Sequence, residues 1–227
     1  MINLTIRSIM DPERLSIFLD SLETEEYPLL DEIAAFGRGA GIPIARRETA
    51  SFLRTIARIT EPSRVLEVGT AIGYSAIVLS EAYPDSRITS IEIKRENYDM
   101  ACGFVRRAET EGLVRPDHIE LLLGDAGEIF PELDGCYDLI FMDAAKAQYI
   151  VWLPEMIRLL SPGGVLISDN VLQDGTLIES RFAVERRDRT IHRRMRDYLY
   201  AIKHDARLTS SVLPLGDGVA LSVKRRD

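Results

Sequence analysis

Short apolar runs recur through the middle of the chain: RVLEV (64–68), RITSIEI (87–93), HIELLL (118–123), YDLIFM (137–142) and GVLIS (164–168). Runs of this length, rich in Val, Ile and Leu, suit strands buried on both faces. The stretches between them, 75–83, 95–111, 126–133 and 147–160, carry apolar positions at helical spacing. Alternating strands and helices predict a parallel sheet with right-handed crossovers and helices on both faces. Upstream, 11–38 and 46–60 read as helices, the second with Ala50, Leu53, Ile56, Ala57 and Thr60 near one face; GAGIPIA between them is a loop. Downstream, a long helix is predicted over 177–203. Two further strands follow, SSVLPL (210–215) and GVALSVK (218–224), joined at Gly216-Asp217-Gly218 as a hairpin. The expected fold is α/β: a seven-stranded, mostly parallel sheet with an antiparallel C-terminal hairpin strand, helices on both faces and extra N-terminal helices. With no linker or repeat, 1–227 reads as one domain, with 1–60 a helical cap and 61–227 the core.

Composition narrows the setting. Of the 227 residues 46% are hydrophobic and 28% charged, and a chain this long buries a core without disulfides. Cys102 and Cys136 have no metal-ligand spacing and read as reduced thiols of a cytoplasmic protein. MINLTIRSIMDPERL has charges where a signal peptide needs an apolar run, and no stretch is apolar enough to span a membrane. The formal net charge is -8, yet residues 177–227 hold 12 Lys+Arg against 7 Asp+Glu. Such asymmetry fits either a nucleic-acid-facing surface or a solvated helix face.

In open parallel sheets ligands bind beyond the carboxyl ends of the strands, so the residues there carry the functional question. The first strand ends LEVGTAIGYS, where Gly69 and Gly73 bracket a tight turn. The spacing is G-x-x-x-G rather than the G-x-G-x-x-G of a pyrophosphate-binding turn, which argues against NAD. Glu67 precedes the turn. Glu92 ends the second strand, where an acid can accept from both ribose hydroxyls, and Asp125 follows the third, near where an adenine could sit. Each acid alone reads equally well as a cap or turn residue; three at successive strand ends form a nucleoside-binding pattern.

The fourth and fifth strands end FMDAAKAQY and LISDNVL. Asp143, Asp169 and Asn170 emerge at one sheet edge, and two carboxylates with an amide oxygen are hard ligands suited to Mg²⁺ or Mn²⁺. Lys146 falls in the loop or first helical turn above them. The bland reading of Asp143, a helix cap, leaves Asp169-Asn170 and Lys146 unexplained. His118, His192 and His204 join no such group, while Tyr74 and Trp152 suit either a cavity mouth or the core.

Together VLEVGTAIGYS, IEI, GDA, MDAAKAQY and SDN resemble the metal-dependent, catechol-type O-methyltransferases, a class I S-adenosylmethionine family with a Rossmann-like core. The likeness runs from Ile42-Pro43-Ile44 to the final hairpin. It implies that Ile44, Glu67, Gly69, Ser75, Glu92, Asp125, Ala126 and Asp143 contact S-adenosyl-L-methionine. It implies that Asp143, Asp169 and Asn170 hold Mg²⁺, that Lys146 is catalytic beside Asp143, and, by analogy with bacterial relatives, a homodimer. The chemistry needs these parts. A hydroxyl is a poor methyl acceptor, a divalent cation lowers its pKa, and a lysine beside the cation can take its proton.

RRDRTIHRRMR (186–196) bears on the substrate. On a helix at about 100° per residue, Arg186, Arg187, Arg189, Arg193, Arg194 and Arg196 share one half, opposite Ile191, Met195, Tyr198, Leu199 and Ile202. Phosphates would neutralise such an arc, with Arg181 as a further candidate; the protein's own acids are the alternative. RTIHRRMRDYL and LPLGDGVALSVK also resemble a bacterial branch of the family, the tRNA 5-hydroxyuridine methyltransferases. This implies an anticodon-loop wobble uridine as acceptor, converted to 5-methoxyuridine, with Arg186, Arg189, Arg193, Arg194 and Arg196 touching RNA. A small catechol or caffeoyl-CoA-type phenol is the alternative substrate, and a non-catalytic nucleoside- or RNA-binding module the third reading.

Overall fold

The computed structural model describes residues 27–180 and 184–226, together with Arg14, residues 17–19, 21, 22 and Phe182; Asp174 is described by its backbone. The N-terminal segment weighed as a leader, most of 11–26 and Arg181 lie outside the described residues.

Seven strands form one sheet in the order β3-β2-β1-β4-β5-β7-β6. They are β1 (Arg64–Val68), β2 (Arg87–Glu92), β3 (Ile119–Leu123), β4 (Tyr137–Met142), β5 (Leu160–Ser168), β6 (Leu208–Leu213) and β7 (Val219–Lys224). The first five pair in parallel. The hairpin strand β7 inserts antiparallel between β5 and β6. This is the sheet the apolar runs predict.

The helices are α1 (Pro28–Ala40), α2 (Arg47–Thr60), α3 (Tyr74–Ala82), α4 (Arg95–Thr110), α5 (Ala126–Ile129), α6 (Tyr149–Leu159) and α7 (Arg189–His204), with 3-10 turns at Phe130–Glu132, Lys146–Gln148 and Gln173–Ile178. Both sheet faces are covered, which is why the central strands show no polar alternation. Val65, Leu139 and Phe141 pack with α1–α4, whereas Leu66, Ile140 and Met142 face the core built with α5–α7. Helix α3 is buried at all nine positions, because α1 and α2 lie over it. Buried Glu81 fastens that layer, accepting from Tyr27 Oη at 2.8 Å and pairing with Arg54 at 3.2 Å.

The long helix expected over 177–203 is shorter than the pattern suggests. It begins at Arg189, so Arg186 and Arg187 precede it and do not share its arc. The reason is packing: α7 buries His192, Met195, Tyr198 and Ile202, whereas the preceding ERRD offers nothing apolar to bury. The expected helix over 126–133 likewise splits into α5 and a 3-10 turn at Pro131.

Candidate active site

Sheet hydrogen bonding continues past the strand ends and sets the site. Asp143 N donates to Val68 O at 2.9 Å, and Asp169 N donates to Met142 O at 3.0 Å. Both carboxylates therefore leave the sheet at one edge, beside the point where strand order reverses between β1 and β4. A cavity of about 680 Å³ opens there. Its wall includes Ile44, Gly69, Ser75, Glu92, Asp125, Ala126, Asp143, Lys146, Asp169 and Asn170. Tyr74 and half-buried Trp152 line it too, the indole packed edge-on against Phe130 with centroids 5.6 Å apart.

On the cofactor side, Glu92 is held by backbone donors. Its Oε2 accepts from Ala71 N and its Oε1 from Lys94 N, each at 2.8 Å. This braces the Gly69–Gly73 turn against the end of β2 while the carboxylate still faces the cavity. Asp125 caps α5, accepting from Gly127 N at 2.7 Å, so the capping and ligand-facing readings hold together. Gly69 has a structural cause of its own. At φ 104° a Cβ would stand 2.1 Å from the Asp143 carbonyl oxygen, so a side chain there would push β1 from β4.

Glu67 departs from its expected position. It is fully buried and does not line the cavity, lying beneath the turn. One carboxylate oxygen accepts from Ser90 Oγ, which is also bonded to Thr70 Oγ1; the other, Oε1, has no hydrogen-bond partner. Burial pushes the Glu67 carboxyl up to about 7 against the hydrogen bond from Ser90, helped by the charges of Asp143 and Glu92. A buried acid with an unsatisfied oxygen under a cavity suits a ligand that brings donors or positive charge to the cavity floor.

On the opposite side, Lys146 stands between the proposed ligands. Its Nζ donates to Asp143 Oδ1 at 2.9 Å and to Asn170 Oδ1 at 2.6 Å. Beneath it, the buried Tyr149 hydroxyl donates to Met142 O at 2.9 Å and lies 3.5 Å from Nζ. Asp169 is almost fully buried, and its Oδ1 accepts from Asn170 N at 2.8 Å. Burial and then the Asp143 charge push the Asp169 carboxyl up to about 6. Among the described residues no three or more His, Cys, Asp and Glu side chains are arranged to hold a metal. The candidate donor set is two carboxylates and one amide oxygen. That set suits a hard divalent cation, and it already attracts the chain's own ammonium.

Sequence reasoning missed Arg46 and Asp217, both of which line the cavity. Gly216-Asp217-Gly218 reads in sequence only as a hairpin turn. In the fold, Gly218 O and Asp217 O accept from Val171 N at 2.9 Å and Leu172 N at 2.8 Å, which seats the turn against the end of β5.

The arginines divide. Arg194 Nη1 donates to Ala147 O at 3.1 Å, pinning the loop that carries Lys146. Arg196 donates to Leu177 O at 3.0 Å and Arg189 to Val184 O at 3.2 Å. Arg187 pairs with Glu185 at 3.0 Å and with Asp188. Arg186 and Arg193 are exposed. The protein's own carbonyls and acids thus take up four of the six guanidiniums. Cys102 and Cys136 are free thiols, and no helix among the described residues is long and apolar enough to cross a membrane.

A cavity at the topological switch point, walled by strand-end acids and a lysine, is where an open parallel sheet binds its ligand. The family model described as O-methyltransferase matches residues 23–225, and the chain belongs to that family. It is 29% identical to caffeoyl-CoA O-methyltransferase 2 of Populus trichocarpa, over 95% of this chain and 90% of that one. It is 30% identical to a catechol O-methyltransferase of Mycobacterium tuberculosis, over 74% of this chain and 76% of that one. Among solved structures it is similar to the O-methyltransferase TomG of Streptomyces achromogenes, involved in tomaymycin synthesis and crystallised with SAM. The TM-score is 0.80 and the identity 25%, covering 96% of this chain and 100% of that one.

Proposed function

We propose that the chain transfers the methyl group of S-adenosylmethionine to one of two adjacent oxygens on a small aromatic acceptor of the catechol or caffeoyl type, with a divalent cation held at Asp143, Asp169 and Asn170. One observation carries the reading: Lys146 Nζ, Asp143 Oδ1 and Asn170 Oδ1 converge in the same cavity as Glu92, Asp125 and Ser75. The names of the poplar and mycobacterial relatives favour this acceptor class. They invert the order expected from the arginine segment, where tRNA ranked first.

When bound, the methyl donor supplies an electrophilic carbon on a positively charged sulfur, and the cation lowers the pKa of the acceptor hydroxyl. The chain's residues do the rest. Glu92, Asp125 and Ala126 would take the nucleoside of the donor, and Ile44 and Ser75, which line the same cavity, its remainder. Asp143, Asp169 and Asn170 fix the end where two vicinal oxygens are gripped. Lys146, placed by Arg194 through the Ala147 carbonyl, would take the acceptor proton at Nζ as the neutral amine and become the ammonium that Asp143 and Asn170 accept from. Positioning of the reacting groups in one cavity can by itself supply roughly 7–11 kcal/mol in favourable cases.

A second acceptor offers the same oxygen pair: 5-hydroxyuridine at the tRNA wobble position, through its 5-hydroxyl and 4-carbonyl. The exposure of Arg186 and Arg193 favours it. One assay separates the readings. Purified protein is given labelled S-adenosylmethionine with catechol, with phenol, or with tRNA containing 5-hydroxyuridine, with and without EDTA. The leading reading expects methylated catechol, no product from phenol, and loss of product in EDTA. Methylated tRNA without methylated catechol, impaired by Arg186→Glu with Arg193→Glu, would replace the small phenol by RNA.

A further inference from the structure

Asn170 is asymmetric in a way its neighbour Asp169 is not. An amide offers an oxygen on one side and an NH₂ on the other, so it can present an acceptor to a cation only when correctly turned. The surroundings of Asn170 are correspondingly asymmetric. Its Oδ1 faces Lys146 Nζ at 2.6 Å, and its Nδ2 donates to Asp217 Oδ2 at 3.4 Å. Asp217 is itself approached by Arg46, whose Nη2 lies 2.8 Å from Oδ1 and 2.9 Å from Oδ2. Its carbonyl accepts from Leu172 N and that of Gly218 from Val171 N, and a Cβ at Gly218 would stand 2.3 Å from the Leu172 side chain. Asn170 sits at φ 55°, a left-handed conformation that asparagine tolerates better than most residues.

We propose that Asp217 is a positioning residue: its carboxylate, aimed by Arg46, turns the Asn170 amide so that Oδ1 faces the cation end of the cavity. This rests on the divalent-cation reading above. The logic is chemical. A carboxylate at Asp217 can only accept, so the amide must show it the NH₂ and thereby present its oxygen to the opposite side. Arg46 offsets the charge that Asp217 would otherwise add beside Asp143 and Asp169. The hairpin turn and the loop before α2 thus complete a site whose direct donors all come from β4 and β5.

The test uses the fact that a carboxylate has no wrong way round. Mn²⁺ binding to the full chain is titrated by the loss of the free-ion electron paramagnetic resonance signal, with S-adenosylmethionine affinity measured by calorimetry as a check on the fold. Asp217→Ala is expected to weaken Mn²⁺ binding about 10–100-fold, the usual effect of losing such an outer partner, while donor affinity stays within about twofold. In an Asn170→Asp background, where either oxygen serves, the same Asp217→Ala change is expected to cost nothing or to tighten binding by removing a like charge. Asp217→Asn, which retains an acceptor, is expected to lose less than Asp217→Ala and guards against a folding failure of the latter. An equal loss from Asp217→Ala in both backgrounds would mean a direct ligand or a general charge effect and would overturn the orienting role. Wild-type protein that binds no Mn²⁺ would overturn the cation reading itself, and this inference with it.

Discussion

Asp169 ought to destabilise the empty protein, and the cost can be measured. Its carboxyl is largely buried beside Asp143, and burial followed by that charge raises it from 3.8 to about 6. At about 1.4 kcal/mol per pH unit, the rise corresponds to about 3 kcal/mol. The native state then holds a proton that the unfolded chain has released. Stability should therefore fall as pH rises from about 4 to about 6 and level off above. Asp169→Asn removes the titration and keeps an oxygen to accept from Asn170 N. In EDTA at pH 7.5 the variant should gain up to about 3 kcal/mol in urea unfolding, or about 2–4 °C in Tm per kcal/mol. The residual slope between about pH 4.5 and 7 belongs to Glu67, whose carboxyl burial pushes up to about 7. The same variant should lose methyl transfer by orders of magnitude and its response to added Mg²⁺. An Asp169→Asn protein no more stable than wild type at pH 7.5, with the same pH slope, would refute the reasoning.

Further outcomes follow from the same geometry. Lys146→Ala should lower kcat by about 10²–10⁴ and leave donor affinity within a few-fold by calorimetry, because Nζ faces Asp143 and Asn170 rather than the nucleoside end. Gly69→Ala should cost more than about 3 kcal/mol by urea unfolding, since its Cβ would meet the Asp143 carbonyl at 2.1 Å in a left-handed backbone. Arg194→Ala removes a charged donor from Ala147 O, worth about 1.5–3 kcal/mol; it should reduce kcat through the Lys146 loop while the affinity for S-adenosylmethionine holds.

Much of the site was legible because strand ends are legible. MDAAK and SDN close apolar runs, and in a parallel sheet the closing residues share one edge. The register of β4 against β5, Met142 opposite Ser168, then sets Asp143 beside Asp169. Glu67 lies under the turn rather than on the cavity wall, a depth that its distance from the strand end does not give. The surroundings of the arginines were hidden for a related reason. Helical phase assigns a face, but it cannot say that Arg194 and Arg196 reach carbonyls of Ala147 and Leu177, or that the helix starts only at Arg189.

Local pattern by itself determined the sheet, its parallel strands, the final hairpin and the acids at the strand ends, because those follow from periodicity and from the rule that parallel strands end together. Tertiary structure alone decided which charges remain available and which distant residues complete the site. Asp217 lies 47 residues from Asn170 and 171 from Arg46, and the three meet only because β7 pairs beside β5 and returns the turn to the cavity. No spacing encodes such a meeting; it exists only once the sheet has closed up the chain.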